Sequence, residues 1–176
     1  EDWWFNEILT NLYSRNTPQN VFPLFLTYNT FLSSDGTESN GCCIIGYHDA
    51  EPQPGNSNNI DTYAWSSYVD PGIFSSAYIR DINAISHEFA EWMNDPFGTN
   101  FVPNWSVAGE PQYGCSNVLE VGDPLVGFGF SITTAYGTFH PQDIAFFSWF
   151  ARQSPSIGVD GRYTFIATYT TYSSSC

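Results

Sequence analysis

The stretch from Ser86 to Pro96, Ser-His-Glu-Phe-Ala-Glu-Trp-Met-Asn-Asp-Pro, constrains this chain more than any other. Ile82, Ile85, Phe89 and Met93 recur at i, i+3, i+7 and i+11. That spacing predicts a helix that starts between Ser75 and Asp81, runs to about Asn94 and carries an apolar stripe. Asp95-Pro96 ends it, because proline disfavours helical geometry in the residue before it. His87 and Glu91 stand one turn apart on one face, so an imidazole nitrogen and a carboxylate oxygen can converge on a single metal ion with Glu88 beside them. Both lie on the flank of the stripe, which places them half-buried at the edge of the core. An ordinary amphipathic helix with solvated acids is the competing reading.

The rest of the chain supports a folded, extracellular domain. Its 176 residues are 42% hydrophobic and 18% aromatic, enough for one α+β domain over residues 1–176 with a sizeable core. Eighteen acids against four bases give a formal charge of -14, which argues against nucleic acid or an anionic membrane surface as partner. No run approaches the roughly 18 apolar residues of a membrane span, so membrane insertion is not expected. Lysine is absent, and Asn, Ser, Thr and Tyr are abundant. The chain opens at Glu1-Asp2-Trp3-Trp4 without a basic or apolar leader, so secretion implies that a leader has been removed. Asn104-Trp105-Ser106 is a glycosylation sequon.

Cys42, Cys43, Cys115 and Cys176 match no zinc ribbon or Cys-x-x-Cys motif, and two disulfides are the simplest use of them. Adjacent residues of a strand point to opposite faces, so Cys42 and Cys43 are expected not to bond each other. Each should take one of the distant partners, Cys115 or Cys176, in either pairing.

Periodicity assigns the remaining elements. Trp4, Ile8, Leu9 and Leu12 predict a helix over 2–14, and Val21 to Asn29 a strand. Cys42 to His48 is a short apolar run of the kind found in a buried central strand, followed by a loop over 50–59 and a strand from Thr62 to Val69. Residues 97–114 read as a long irregular loop and a candidate substrate wall, and 125–139 as a hairpin or irregular strands. Pro141 to Arg152 predicts a second helix and Tyr163 to Thr171 a last strand. The expected architecture is a mixed sheet packed on the metal-binding helix and the C-terminal helix.

His87-Glu88-x-x-Glu91 has the layout of the His-Glu-x-x-His zinc helix, in which the two ends ligate and the glutamate after the first histidine is general base. Glu91 stands where that motif has its second histidine. Two carboxylates and one imidazole make a harder site, so Mn2+ and Ca2+ stand beside Zn2+ as candidate ions. His48 and His140 are each open to two roles, a backbone-bonded structural residue or a functional one. His140, at the start of the predicted second helix, is a candidate catalytic donor to a developing oxyanion.

Four segments carry a wider resemblance: Cys-Cys-Ile-Ile-Gly-Tyr-His (42–48), the 86–96 helix, Leu-Glu-Val-Gly-Asp-Pro (119–124) and Gln-Asp-Ile-Ala-Phe-Phe-Ser-Trp-Phe-Ala-Arg-Gln (142–153). Together they resemble a family of secreted, largely uncharacterised bacterial and fungal proteins with a His-Glu-x-x-Glu helix and a downstream Glu-x-Gly-Asp segment. The metal segments are similar to those of gluzincin metallopeptidases. The resemblance implies a zincin-like fold with Glu120 as third metal ligand and Asp123 orienting a ligating histidine from outside the ligand set. Asp95 is a second such outer carboxylate. Where that family places a cysteine after Gly-Asp, this chain has Pro124 and Leu125, so the family's disulfide pattern is not carried over.

The expected function is a secreted metal-dependent peptidase, with Glu88 as base and a peptide or protein substrate. The alternative is a non-enzymatic extracellular matrix, surface or self-assembling module with a structural ion. A glycosidase built on two of these carboxylates has no support in their spacing.

Overall fold

A long hairpin is the spine of the fold. In the computed structural model, which describes residues 2–14, 21–33, 42–53, 56–107, 115–173 and 176 (the side chains of 2–6 and 13 excepted), helix α1 spans Asp2–Ser14. Strands β1 (Leu24–Tyr28), β2 (Leu32–Ser33) and β3 (Cys42–Ile44) lead into β4 (Gly46–Gln53) and β5 (Asn56–Tyr68). Strand β5 is central: it pairs with β4 antiparallel and with β1 parallel, in the order β1-β5-β4. Helix α2 (Asn83–Asn94), strands β6 (Phe101–Trp105), β7 (Ser116–Val118), β8 (Ile132–Thr134) and β9 (Gly137–Phe139), and a short α3 (Phe147–Phe150) complete a small mixed α+β domain with several small sheets.

Strand alternation sorts the hairpin into two faces. On one, Tyr63 and Trp65 are buried against Leu9 of α1, with Phe25, Leu32, Ile44 and Tyr47 packed around them. Burying each large aromatic contributes about 2–3 kcal/mol. The other face carries small or polar residues: Gly46 opposite Ser66, His48 opposite Ala64, and Ala50 opposite Thr62. Helix α2 docks here, and the Trp92 indole N–H donates to Thr62 Oγ1 at 2.8 Å. A second core forms from Trp105, Leu119, Val121, Leu125, Ala145, Trp149, Phe150 and Tyr163. The Trp149 ring meets Phe150 edge-on at 4.9 Å and stacks on Tyr169 at 5.3 Å.

Several expectations are corrected. Helix α2 begins at Asn83, because Asp81 has φ of 41° and resets the chain immediately before it. The apolar stripe does not face the core: Phe89 and Met93 are 44% and 65% exposed, while His87, Glu88 and Glu91 are buried. Phe22 stacks on Trp92 at 4.0 Å and meets Phe89 on that outer side. The run from Cys42 to His48 is split at Ile45 into β3, paired with β2, and β4, which is an edge strand. No loop interrupts 50–53 or 56–59, since Ala50, Glu51 and Pro52 pair with Thr62, Asp61 and Ile60. Proline lacks an N–H, and an edge position tolerates that.

The predicted 141–152 helix shrinks to α3. Upstream of α3, Ala145 N–H donates to Val121 O at 2.8 Å, and Asp143 is fully buried, taking the Thr168 hydroxyl at 2.7 Å. Bonds to other segments thus replace the helical ladder. Instead of a strand over 163–171 there is one bridge, Ala145 to Thr164. Within 97–107 an ordered strand, β6, pairs with β7; residues 108–114 lie outside the described residues.

The disulfides also differ from expectation. Cys42 bonds Cys43, and Cys115 bonds Cys176. A cis peptide joins Cys42 and Cys43 with Cα atoms 2.9 Å apart, so the opposite-face geometry of a trans strand does not hold there. The Cys115–Cys176 bond spans 61 residues and anchors Cys176 near the second core, contributing about 4 kcal/mol in the chain-entropy model. Among the described residues no helix is long and apolar enough to cross a membrane.

Candidate metal centre

Three elements converge between the two cores. Strand β4 supplies His48, and α2 supplies His87, Glu88 and Glu91. The segment after β7 supplies Glu120 and Asp123, with buried Leu119 and Val121 turned into the second core on either side of Glu120. All six line one cleft of about 690 Å3, whose lining also includes Cys42, Cys43, Ile44, Phe74, Ile79 and Val126. None of residues 97–107, the described part of the loop expected to wall the substrate site, lines it, and residues 108–114 lie outside the described residues.

Glu91 is the pivot. Its Oε1 accepts the N–H groups of Gly122 at 3.0 Å and Asp123 at 3.1 Å, which fixes the carboxylate. Its Oε2 then lies 3.0 Å from His87 Nε2 and 3.7 Å from His48 Nδ1. Asp123 Oδ1 is 3.4 Å from His87 Nε2, and Glu88 Oε2 is 3.5 Å from His48 Nδ1. On the far side of the His48 ring, Nε2 meets the Asp95 carbonyl oxygen at 3.1 Å. Donation of Nε2–H to that carbonyl leaves Nδ1 free to ligate, the usual way a metal-binding imidazole is oriented.

Two glycines make room for the donors. A Cβ at Gly46 would come within 2.7 Å of Glu88 Oε1, and one at Gly122 within 2.6 Å of His87 Nδ1. Gln142 braces the second: its Nε2 donates to Gly122 O at 2.7 Å while its own N–H donates to Ser86 Oγ at 2.9 Å.

Buried charge is costly unless it is compensated. Burial alone would lower both histidines, but the Glu88 hydrogen bond and the charges of Glu120 and Glu91 push His48 up to about 9. Glu91, Glu88 and the Asp123 hydrogen bond hold His87 well above the ordinary histidine range. Burial raises Glu88, and burial together with the Glu91 charge pushes Glu120 up to about 8. Against its own burial, Glu91 is held below the usual carboxylate range, first by the charge of His87. Protons gather in this cleft because it is rich in acid and poor in cation.

Comparison with protein-family models, with curated proteins and with solved structures finds no match to this chain. The chemistry must therefore be read from the donors. His48, Glu88 and Glu91 form one group that could hold a metal ion, and His87, Glu91 and Asp123 form another.

The structure brings His87, Glu88 and Glu91 together and adds Asp123 on the Nε2 side of His87, where a ligand stands, instead of behind the ring as an orienter. Glu120 lies 3.8 Å from His48 Nε2, beside the second histidine and not beside His87. Asp95 supports His48 through its backbone carbonyl, while its carboxylate takes the N–H groups of Thr99 and Asn100 at 2.9 Å each. His140 is placed elsewhere. It precedes no helix, and its Nδ1–H and backbone N–H both donate to Asp81 at 2.7 Å, outside the described lining of the cleft. His48 was legible only as one of two open histidines. The available signal was Gly46-x-His48, a glycine and an imidazole on one strand face. Gly122 sits inside the Glu-Val-Gly-Asp segment, but nothing in its spacing marks the ring it must clear.

Proposed function

We propose that the chain is a secreted metal-dependent hydrolase acting on peptide bonds, with zinc as the first candidate ion. The observation that carries this reading is the placement of the donors in an accessible cleft. Glu120 and Asp123 keep 20% and 15% of their side chains exposed, whereas His48, Glu88 and Glu91 lie deep. Structural ions are enclosed by protein ligands, and catalytic ones keep a position open to water and substrate. The cleft therefore favours hydrolysis over a structural ion in an extracellular module. Disulfide bonds accord with an oxidising compartment.

His87, Glu91 and Asp123 would hold the ion, whose Lewis acidity would acidify water and polarise a substrate carbonyl. Glu88 would take the proton from the attacking water. Burial raises its basicity above that of a solvated carboxylate, against the charge of His87 and the hydrogen bond of His48, which lower it, and Glu88 stands between the two imidazoles in the cleft. The Gly122 and Asp123 N–H groups would keep Glu91 from turning away. The resemblance of the 86–96 and 119–124 segments to metallopeptidases points the same way.

Glu88→Gln tests the assignment: the fold and the His87-centred ion should persist while cleavage of a peptide library, followed by mass spectrometry, is abolished. Turnover in that variant comparable to wild type would overturn the role of Glu88. A wild-type protein that binds metal but cleaves no peptide would return the site to the structural reading.

A further inference from the structure

We infer that the cleft is built for two metal ions bridged by Glu91, the first between His87 and Asp123 and the second between His48 and Glu88. This rests on the metal-binding reading above and extends it to stoichiometry. The two imidazoles fall in separate donor groups that share one residue, Glu91. Its Oε1 is fixed by two backbone N–H groups, so both histidines address the same remaining atom, Oε2.

Distances favour the division. An ion about 2.1 Å from each donor spaces neighbouring donors by roughly 3.0–3.4 Å. Around His87 Nε2 the separations are 3.0 Å to Glu91 and 3.4 Å to Asp123. Around His48 Nδ1 they are 3.5 Å to Glu88 and 3.7 Å to Glu91, which a small contraction closes. Glu88 spans the pair, with Oε2 toward His48 and Oε1 3.9 Å from His87 Nε2. Ligation through Oε2 leaves Oε1 to accept a proton, so its role in hydrolysis is kept.

Glu120 Oε2, a buried oxygen without a hydrogen-bond partner, faces His48 Nε2 at 3.8 Å, across the ring from the Nδ1 that would ligate the second ion, and so stands outside both donor groups. A carboxylate bridge sets paired ions about 3.5–4 Å apart, the spacing at which two ions act together on one hydrolysed bond.

The test uses the full chain, stripped by chelator and reloaded by equilibrium dialysis. Zinc is counted by elemental mass spectrometry, and Mn2+-loaded protein is examined by electron paramagnetic resonance. Two equivalents of zinc, an exchange-coupled Mn2+ spectrum, and loss of one equivalent each in His48→Ala and His87→Ala are expected. Saturation at one equivalent with an uncoupled Mn2+ signal would overturn the pair while leaving the single-ion site intact. No bound metal at all would overturn both. The wild-type spectrum decides the matter even if a variant fails to fold.

Discussion

Replacing Gly46 with alanine probes the candidate metal centre at one of its two tightest contacts. A Cβ there would lie 2.7 Å from Glu88 Oε1, 2.8 Å from its Cγ and 3.1 Å from its Cδ. On a surface, a glutamate would swing aside at little cost. Glu88 is 5% exposed, held between β4 and α2 with His48 and His87 on its carboxylate, so moving it breaks both contacts. Overpacking of this kind costs about 1–3 kcal/mol. For a domain of this size that lowers Tm by roughly 2–10 °C. Disturbing the surroundings of a ligand in this way should also weaken metal binding about 10–100-fold. Denaturant unfolding in chelator measures the first effect and calorimetric titration with zinc the second. In a Glu88→Ala background the clash is gone, so the two changes should be non-additive by more than about 0.5 kcal/mol. Additive costs together with wild-type metal affinity would refute the placement of Glu88 against β4.

Stability without metal should fall as pH rises. The folded-state values of His48 (about 9), His87 and Glu120 (about 8) all lie above their ordinary ones. The His48 contribution is thus complete below about pH 6.5 and lost toward pH 9, that of His87 is likewise lost as pH rises above the ordinary histidine range, and that of Glu120 is lost between about 4.5 and 8. The slope is about 1.4 kcal/mol per pH unit for each extra proton the folded state binds. Urea midpoints from pH 6 to 9 in chelator should decline and, with zinc replacing the protons, decline less or rise; a chelated protein whose midpoint climbs with pH would refute this. Because His140 serves the Asp81 clasp, His140→Ala should lower stability by about 1–3 kcal/mol, the cost of a buried polar group losing its partner. Its metal stoichiometry should stay at the wild-type value, and loss of metal in that variant would place the ring closer to the site than its bonds imply.

The sequence made the α+β class, α1, β1, the inner half of β5 and the 132–139 hairpin legible, because each is decided by local periodicity or by turn residues. Strand β6 and the shortened α3 were not, since their backbone bonds go to segments distant in sequence: Phe101 pairs with Val118, and Phe146 N–H donates to Tyr163 O. His87, Glu88 and Glu91 could be singled out because i, i+4 spacing on a helix is local. Asp123 and Glu120 exchanged their expected surroundings because only the path of the chain after β7 decides which imidazole each one meets. His48 needed β4 to be an edge strand whose small-residue face lies under α2.

The inverted helix is the most informative departure. Ile82, Ile85, Phe89 and Met93 set a stripe that binary patterning turns inward, yet α2 buries the side carrying Ala84, His87, Glu88 and Glu91. The opposing sheet face explains the choice: Gly46, Ala64 and Ser66 leave room for carboxylates and offer no apolar surface to pack, while Phe22 gives Phe89 and Trp92 a partner on the other side. Turning two glutamates into protein costs several kcal/mol per charge unless positive charge meets them. Among the described residues lining the cleft that charge comes from His48 and His87, each drawn to hold a proton above its usual range. Hydrophobic patterning cannot register such compensation, because half of it lies on another strand and the remainder calls for a cation. A helix that presents its acids to the interior, against a face cleared by glycine, is in itself an argument for metal binding.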